Sequence, residues 1–337
     1  MRAISYRRPG APDVLELVDL PEPQPGPGEV RVRMAFSGVN PTDWKSRSKT
    51  PPAGEFQIPN QDGAGTVDAV GEGVSARLVG LRVWIWEAAW QRPFGTAAEH
   101  TVVPAEHVVP LNDDGPFELG AALGIPFLTA HRCLTLGESV PDRLAPGALT
   151  GHAVLVQGGA GAVGNAAIQL ARWSGATVLT TVSSPAKGEL ARAAGATHVI
   201  DYRQQDVVAE VRRIAPNGVT AVVEVNPAVN ASVDAQVLAA HGAVAMYADD
   251  SGAEVTVPVR SQMTLNARWQ FVLVYTAPAA AKDDAVEDVA AAVSAGAIRI
   301  GADAGLPLHV FPLAEAAAAH RAVEEGAVGK VLIDVTA

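Results

Sequence analysis

The sequence predicts an α/β chain of two parts, a mostly β domain followed by a doubly wound parallel sheet, and three observations predict it. Up to about Phe127, short apolar runs with period two are separated by Pro and Gly clusters. After Ala148, near-continuous Val/Ile/Leu runs alternate with alanine-rich segments of helical spacing, the pattern of a sheet covered on both faces. Between the first such run, Val154-Leu155-Val156-Gln157, and the first such helix lies Gly159-Ala160-Gly161-Ala162-Val163-Gly164, a G-x-G-x-x-G turn in strand–turn–helix context. A length of 337 residues suits two domains of about 150 residues each.

In the first part, Val14–Leu20 and Val30–Phe36 alternate and read as strands, with the four prolines of 21–27 as an irregular connection. Ser37–Lys45 reads as a polar loop, and Thr50–Gly54 as a proline- and glycine-rich stretch. Gly63–Gly71 and Leu81–Trp86 read as further strands, and over Glu118–Leu136 the spacing turns helical. The second part should run strand Ala153–Gln157, helix to about Ser174, strand Thr177–Val182, helix Ala186–Ala194, strand His198–Asp201 and helix Val207–Ile214. Strand Ala221–Val225, helix Ser232–Ala240, and strands Ala243–Tyr247 and Trp269–Tyr275 follow. The chain ends with helices Asp284–Ala295 and Leu313–Glu325 and strand Lys330–Val335.

Composition narrows the function classes. Apolar residues at 48% and charged ones at 18% describe a globular core. A net charge of −11 argues against nucleic acid or an anionic membrane as partner. No segment approaches the ~20 apolar residues that span a bilayer, and the N-terminus has no apolar signal core. A soluble cytoplasmic protein is expected. The single cysteine, Cys133, excludes an intrachain disulfide and a Cys₄ or Cys₂His₂ zinc site. The eight histidines form no H-E-x-x-H pair and read as surface or packed residues.

The glycine turn carries the chemistry. Gly159 permits the tight turn, Gly161 lets backbone approach a pyrophosphate, and Gly164 lets helix and strand pack closely. The helix N-terminus adds free N–H groups and a positive dipole end. With Gly158, Ala160, Ala162 and Val163, these residues form the expected cofactor turn. The alternative is a glycine-rich turn that closes a β–α unit without a ligand.

The chain resembles the zinc-independent medium-chain dehydrogenase/reductase family, and within it the NADPH:quinone reductases related to zeta-crystallin. The likeness rests on Gly38-Val39-Asn40-Pro41-Thr42-Asp43, Gln61-Asp62-Gly63-Ala64-Gly65, Phe94-Gly95-Thr96-Ala97-Ala98-Glu99, Leu128-Thr129-Ala130, the glycines of 158–164 and Gly329-Lys330-Val331. It implies a GroES-like β domain over 1–125, completed by residues 285–337 folding back, and a Rossmann domain over 126–284, with the cofactor in the cleft. The zinc ligands of metal-using relatives fall on Asn40, Gln61 and Ile125, which cannot hold a catalytic zinc ion, so no metal is expected.

NADPH is favoured as cofactor. The second strand ends in Ser183-Ser184-Pro185-Ala186-Lys187, with none of the carboxylates that bind both ribose hydroxyls in NAD sites. Ser184 and Pro185 read as N-cap and first helical residue. Lys187, in the first turn, opposes the macrodipole unless an anion such as a 2′-phosphate sits beside it; a solvated surface lysine is the alternative. Tyr202 and Arg203 are expected at the adenine end, the Tyr202 position contacting the cofactor in relatives. The resemblance places Asn40 and Thr129 near the nicotinamide and its ribose, and Asn230, Met246, Tyr247, Phe271, Val272 and Leu273 along the cofactor. The family often has Val-Gly after the fifth strand, where Met246-Tyr247-Ala248-Asp249 stands here.

The implied reaction is hydride transfer from NADPH to a quinone. It demands geometry and donors for the developing oxyanion, and solvent suffices as proton source. Asp43 is the one carboxylate of the Asn40 loop and is the candidate acid; capping a turn is its other reading. Lys45 and Gln61 are candidate substrate contacts. Trp84 and Trp86, with Trp90 nearby, either wall an aromatic pocket or are simply packed. Reduction of an activated C=C bond in an enone, alkenal or enoyl thioester is the alternative on the same scaffold. A crystallin-like or regulatory protein that binds NADPH without useful catalysis is a third reading. A homodimer through the sheet edge at Trp269–Tyr275 is expected, unless the following helix covers that edge.

Overall fold

The structure, a computed structural model, describes residues 1–52, 54–249, 252 and 254–337. Ala53, within the proline- and glycine-rich stretch, lies outside the described residues. Two compact units are present, residues 1–125 with 308–337, and residues 126–307.

The first unit opens with a hairpin of β1 (Arg2–Ser5) and β2 (Glu16–Asp19). The long strand β3 (Glu29–Val39) pairs antiparallel with β4 (Asp62–Val70). The expected loop at Ser37–Lys45 is instead the end of β3 followed by helix α1 (Pro41–Lys49). Its start is chemically specified: Asn40 and Asp43 form a reciprocal capping box, and Pro41 takes the first turn, where its missing N–H costs nothing. Strands β5 (Arg82–Ile85), β6 (His100–Pro104) and β7 (Val108–Pro110) continue the sheet. Val30, Val32 and Met34 alternate into a core with Val67, Val83, Ile85 and Val103, as the period-two pattern requires.

Helix α2 (Phe117–Leu134) is kinked at Gly124, whose φ/ψ of −15°/−112° are not helical. A Cβ there would stand 2.0 Å from Asp62 Oδ1. The same oxygen accepts the Ile125 N–H at 2.9 Å, so the carboxylate satisfies a backbone donor that the broken helix leaves free.

The second unit is a run of β–α units: β8 (Ala153–Val156), α3 (Ala162–Trp173), β9 (Thr177–Val182), α4 (Pro185–Ala194), β10 (His198–Asp201), α5 (Val207–Ile214) and β11 (Val219–Glu224). It continues through α6 (Pro227–Val237), β12 (Leu238–Met246), α7 (Val259–Leu265), β13 (Arg268–Phe271) and α8 (Ala279–Ser294). All six strands are parallel, in the order β10-β9-β8-β11-β12-β13. The order reverses between β8 and β11, the switch point where such sheets bind ligands. Leu155, Leu179, Ile200, Val222 and Val244 form one buried layer across five of the strands.

Two elements differ from expectation. The helix expected at Ser232–Ala240 lies earlier, because Pro227 starts α6 and Leu238, fully buried, already pairs with Val219. Burial overrides the helical propensity of Ala239-Ala240. The strand expected over Trp269–Tyr275 stops at Phe271, and Val274–Thr276 form a 3₁₀ turn that buries Val274 and Tyr275.

The chain then returns to the first unit through β14 (Leu308–Pro312), α9 (Ala316–Glu324) and β15 (Lys330–Asp334), giving the sheet order β14-β15-β3-β4-β5-β7 with β6 also on β3. The returning segment starts at 308 rather than 285. Helix α8 stays in the second unit because Asp288 is anchored there, accepting from Leu144 N at 2.6 Å and Arg143 Nε at 2.9 Å and bonded to His131 Nε2 at 2.8 Å. Among the described residues no helix is long and apolar enough to cross a membrane.

Candidate functional site

In the second unit the expected cofactor residues fall at one end of the sheet. The turn Gly158–Gly164 follows β8, Ser183, Ser184 and Lys187 follow β9, and Tyr202 follows β10. Asn230 is in the first turns of α6 after β11, Met246 and Tyr247 close β12, and Phe271, Val272 and Leu273 close β13. Backbone hydrogen bonds tie these strand ends together: Gly159 N to Thr181 O at 3.2 Å, Tyr202 N to Val182 O at 3.1 Å, Tyr247 N to Glu224 O at 3.0 Å and Val272 N to Met246 O at 2.8 Å. Thr129 lies on a different element, buried on α2.

The three glycines of the motif are needed for different reasons. A Cβ on Gly159 would lie 2.1 Å from Thr180 Oγ1, and one on Gly164 would lie 2.4 Å from Gly158 O, so internal packing excludes a side chain at both. Gly161 is exposed, its φ is −79°, and a Cβ there would meet only Gly158 O at an ordinary 3.6 Å. Neither backbone nor packing demands glycine at 161. What remains is room for something outside the chain to approach the backbone, as a pyrophosphate does.

Beneath the turn lies a polar network the sequence reading missed. Thr181 Oγ1 donates to Gln157 Oε1 at 2.6 Å, Gly158 N donates to Thr181 Oγ1 at 3.3 Å, and Gln157 Nε2 donates to Asp234 Oδ1 at 3.0 Å. Asp234 is hydrogen-bonded to Glu224, and burial followed by the Glu224 charge pushes its carboxyl well above the usual range. The only signal in the sequence was a polar residue closing an apolar run, Gln157 just after β8 and Glu224 at the end of β11. The Asn230 amide donates to the Glu224 carboxylate at 3.1 and 3.3 Å, which ties Asn230 into this network. Ser184 caps α4, its Oγ accepting from Lys187 N at 3.4 Å, while the Tyr202 side chain is 51% exposed.

The first unit contains a pocket of about 500 Å³ lined by Tyr6, Asp43, Ser46, Thr50, Pro51, Gln57, Pro59, Asn60, Gln61, Ala89, Trp90 and Gln91. Of the expected contacts, Asp43, Gln61 and Trp90 line it, and Lys45, Trp84 and Trp86 are not among the lining residues. Trp84 and Trp86 are packed, the Trp86 ring stacked on His107 with centroids 4.2 Å apart. Asp43 does cap α1: its Oδ2 accepts the Asn40 N–H at 2.7 Å. Its Oδ1 is buried without a hydrogen-bond partner. Burial, and next the Asp62 charge, raise the Asp43 carboxyl to about 8.

Asn40 spends both ends of its side-chain amide here. Nδ2 donates to Asp62 Oδ2 at 2.6 Å, and Oδ1 accepts from Lys330 Nζ at 2.7 Å. Lys330 and Asp62 are themselves 3.5 Å apart, at 1% and 0% side-chain exposure. Neither Lys330 nor Asp62 was singled out as a site residue from sequence, although both stand in the stretches that carry the family resemblance.

These residues do not fit a zinc ion. The Asn40 oxygen is occupied by an ammonium group, the Gln61 Oε1 by the Ala89 N–H at 3.0 Å, and Ile125 is aliphatic. Among the described residues no group of three or more His, Cys, Asp or Glu side chains could hold a metal.

A mixed β unit and a six-stranded parallel unit with a G-x-G-x-x-G turn define a class, the two-unit dehydrogenase/reductases. Residues 26–113 match the family described as "Alcohol dehydrogenase GroES-like domain" and residues 162–293 the one described as "Zinc-binding dehydrogenase". The quinone oxidoreductase of Sus scrofa is 30% identical over 99% of this chain and 97% of its own length. The chain belongs to the quinone oxidoreductase family of medium-chain dehydrogenase/reductases. Among solved structures, mycobacterial Rv1454c complexed with NADPH is similar at 30% identity and a TM-score of 0.81, over 99% of both chains. A 2-haloacrylate reductase is similar at 28% identity and a TM-score of 0.81, over the whole of both chains.

Proposed function

We propose that this protein is an NADPH-dependent oxidoreductase that reduces a quinone without a metal. The observation that carries the reading is the open backbone at Gly161, the one motif glycine whose lack of a side chain nothing inside the chain explains. The similar NADPH-complexed structure and the full-length quinone oxidoreductase relative support it. The turn at 158–164 would hold the pyrophosphate, with the N–H groups of α3 facing it. Lys187 and the Ser183–Ser184 corner would meet the 2′-phosphate, and Tyr202 the adenine end. Asn230, Met246, Tyr247, Phe271, Val272 and Leu273 are proposed along the dinucleotide, and Asn40 and Thr129 near its reactive end.

When bound, NADPH supplies a hydride. The chain supplies an acceptor site, the pocket over Asp43, and a proton. At neutral pH Asp43, its carboxyl raised to about 8, is a neutral acid with one O–H, and its Oδ2 accepts the Asn40 N–H. That O–H can bond the acceptor oxygen as negative charge develops there, a role worth about 10²–10⁴ in rate for a positioned acid. The similarity to a 2-haloacrylate reductase favours a second reading, reduction of an activated C=C bond such as an enone, alkenal or enoyl thioester. Its oxyanion would be met by the same acid.

Steady-state NADPH oxidation with benzoquinones and naphthoquinones against a panel of enones separates the two readings. Lys187→Ala should raise the Kd for NADPH about tenfold, the worth of one charge-assisted contact, and leave NADH unchanged in a fluorescence titration. Equal affinity for both cofactors in the parent protein would overturn the cofactor assignment. We also propose a homodimer through β13. A reducing, cytoplasmic compartment is in keeping with Cys133, free and buried.

A further inference from the structure

Asp43 lines the first unit's pocket, two further buried charged groups act on it, the Asp62 carboxyl and the Lys330 ammonium, and the three charges do not cancel. Asp62 lies within 3.5 Å of Lys330 and takes two further donors, Asn40 Nδ2 and Ile125 N. Asp43 takes the Asn40 N–H on Oδ2, with the Gln61 backbone N–H as its one other donor. Arg47, on the same helix, is paired with Glu324. A carboxylate without its own cation is costly when buried, so the proton goes to the carboxyl with fewer donors. That carboxyl is Asp43.

We propose that Lys330 and Asp62 are positioning residues which, acting through Asn40 and with opposite signs, set how tightly Asp43 holds a transferable proton. Asn40 is the mechanical link. Lys330 on its Oδ1 and Asp62 on its Nδ2 fix which way the amide points, and the backbone N–H of the same residue selects Oδ2 as the acceptor oxygen. Lys330 arrives on β15 and Asp62 on β4, both flanking β3, from whose end Asn40 starts α1. The two charges are thus set by the sheet itself. The groups that act on Asp43 are Asp62, Lys330 and the backbone N–H groups of Asn40 and Gln61, and the Tyr6 phenol is in turn acted on by Asp43. Tyr6 is held up at about 12, mainly by burial and then by Asp43, and stays neutral. His320, which packs on this region through Asn60, is also neutral, its pKa pushed down to about 3 by burial.

This inference rests on the reading of the chain as a reductase. In the step it describes, bound NADPH would supply the hydride that adds to the acceptor and would leave as NADP⁺. The new electron pair moves onto the acceptor oxygen. The Asp43 carboxyl O–H bond breaks as the acceptor O–H bond forms, leaving Asp43 a carboxylate that solvent reprotonates. One acceptor, one NADPH and one proton give the reduced acceptor and NADP⁺.

The test is the pH profile of kcat together with an isotope-edited infrared titration of the Asp43 carboxyl, the latter without acceptor or cofactor. Asp62→Asn removes the neighbouring anion and leaves the Lys330 charge, so the alkaline limb and the infrared midpoint should both move down by about one pH unit or more. Lys330→Met removes the cation, so Asp43 should ionise at higher pH by a similar amount. A purely structural role would lower kcat at every pH and move neither midpoint. Midpoints unchanged in Asp62→Asn, or moved upward, overturn the proposal, and that variant decides alone if Lys330→Met fails to fold. Because the infrared midpoint needs no turnover, the two failures are distinguishable: no reduction of any acceptor sinks the reductase reading, and an unmoved infrared midpoint sinks the control of the Asp43 proton by Asp62.

Discussion

Asp43 uses its two oxygens differently, and stability should record it. Its carboxyl sits at about 8 in the folded protein against 3.8 as an ordinary aspartate. The folded state therefore binds the proton more tightly than the unfolded one, and stability falls as pH rises between those values. Asp43→Asn keeps an acceptor for the Asn40 N–H and removes the titration. Its urea midpoint should change less than the parent's between about pH 6 and about pH 9. His320 has the opposite sign. Buried and neutral at about 3, it gives stability that is complete above its ordinary 6.5 and is lost as pH falls toward 3. His320→Gln, whose amide can still donate to Asn60 Oδ1 in place of Nε2, should hold its midpoint better at about pH 4. Parallel loss in variant and parent on either limb would show that other groups govern it.

At the scale of the element, the glycine turn separates packing from binding. Gly164→Ala should cost about 1–3 kcal/mol, because the added methyl runs into Gly158 O at 2.4 Å. Gly161→Ala should leave Tm unchanged and weaken NADPH about tenfold, read by calorimetry and titration on the same sample. If Gly161→Ala bound NADPH like the parent, the pyrophosphate would not lie on this turn. The turn was legible because its spacing sits between a strand and a helix whose periodicities differ. Strands β8 to β11 and their helices were legible for the same reason. Helix α1 was read as a loop although Asn40-Pro41-Thr42-Asp43 contains a complete capping box, since turn residues and cap residues are the same residues. The α6–β12 boundary was misplaced because alanine carries no periodic signal and the burial of Leu238 is a tertiary fact. Lys330 shows the limit most clearly. Nothing in a strand reading K-V-L-I-D says that its lysine is fully buried against an aspartate 268 positions earlier.

At the scale of the whole molecule, the parallel sheet has two edges of unequal character. The β10 edge is followed by exposed polar residues, Arg203 to Asp206. The β13 edge presents Phe271 at 69% exposure and continues into Leu273 at 50%, with Val259 and Met263 of α7 also exposed. Because Val272 N bonds inward to Met246 O, the Phe271 N–H points away from the sheet. An apolar edge with free backbone donors is a template for a second copy. Phe271→Lys, a charge of the kind that blunts natural edges, should sediment as a monomer at concentrations where the parent is a dimer. Salt tells what holds such a dimer. Each chain carries −11, so association brings like charges together, and screening over the ~8 Å Debye length of physiological salt reduces that repulsion. An interface of apolar side chains and backbone pairing should therefore tighten as salt is raised, whereas one built on ion pairs should loosen. A parent protein that sediments as a monomer, or a dimer that dissociates in salt, would remove β13 as the interface.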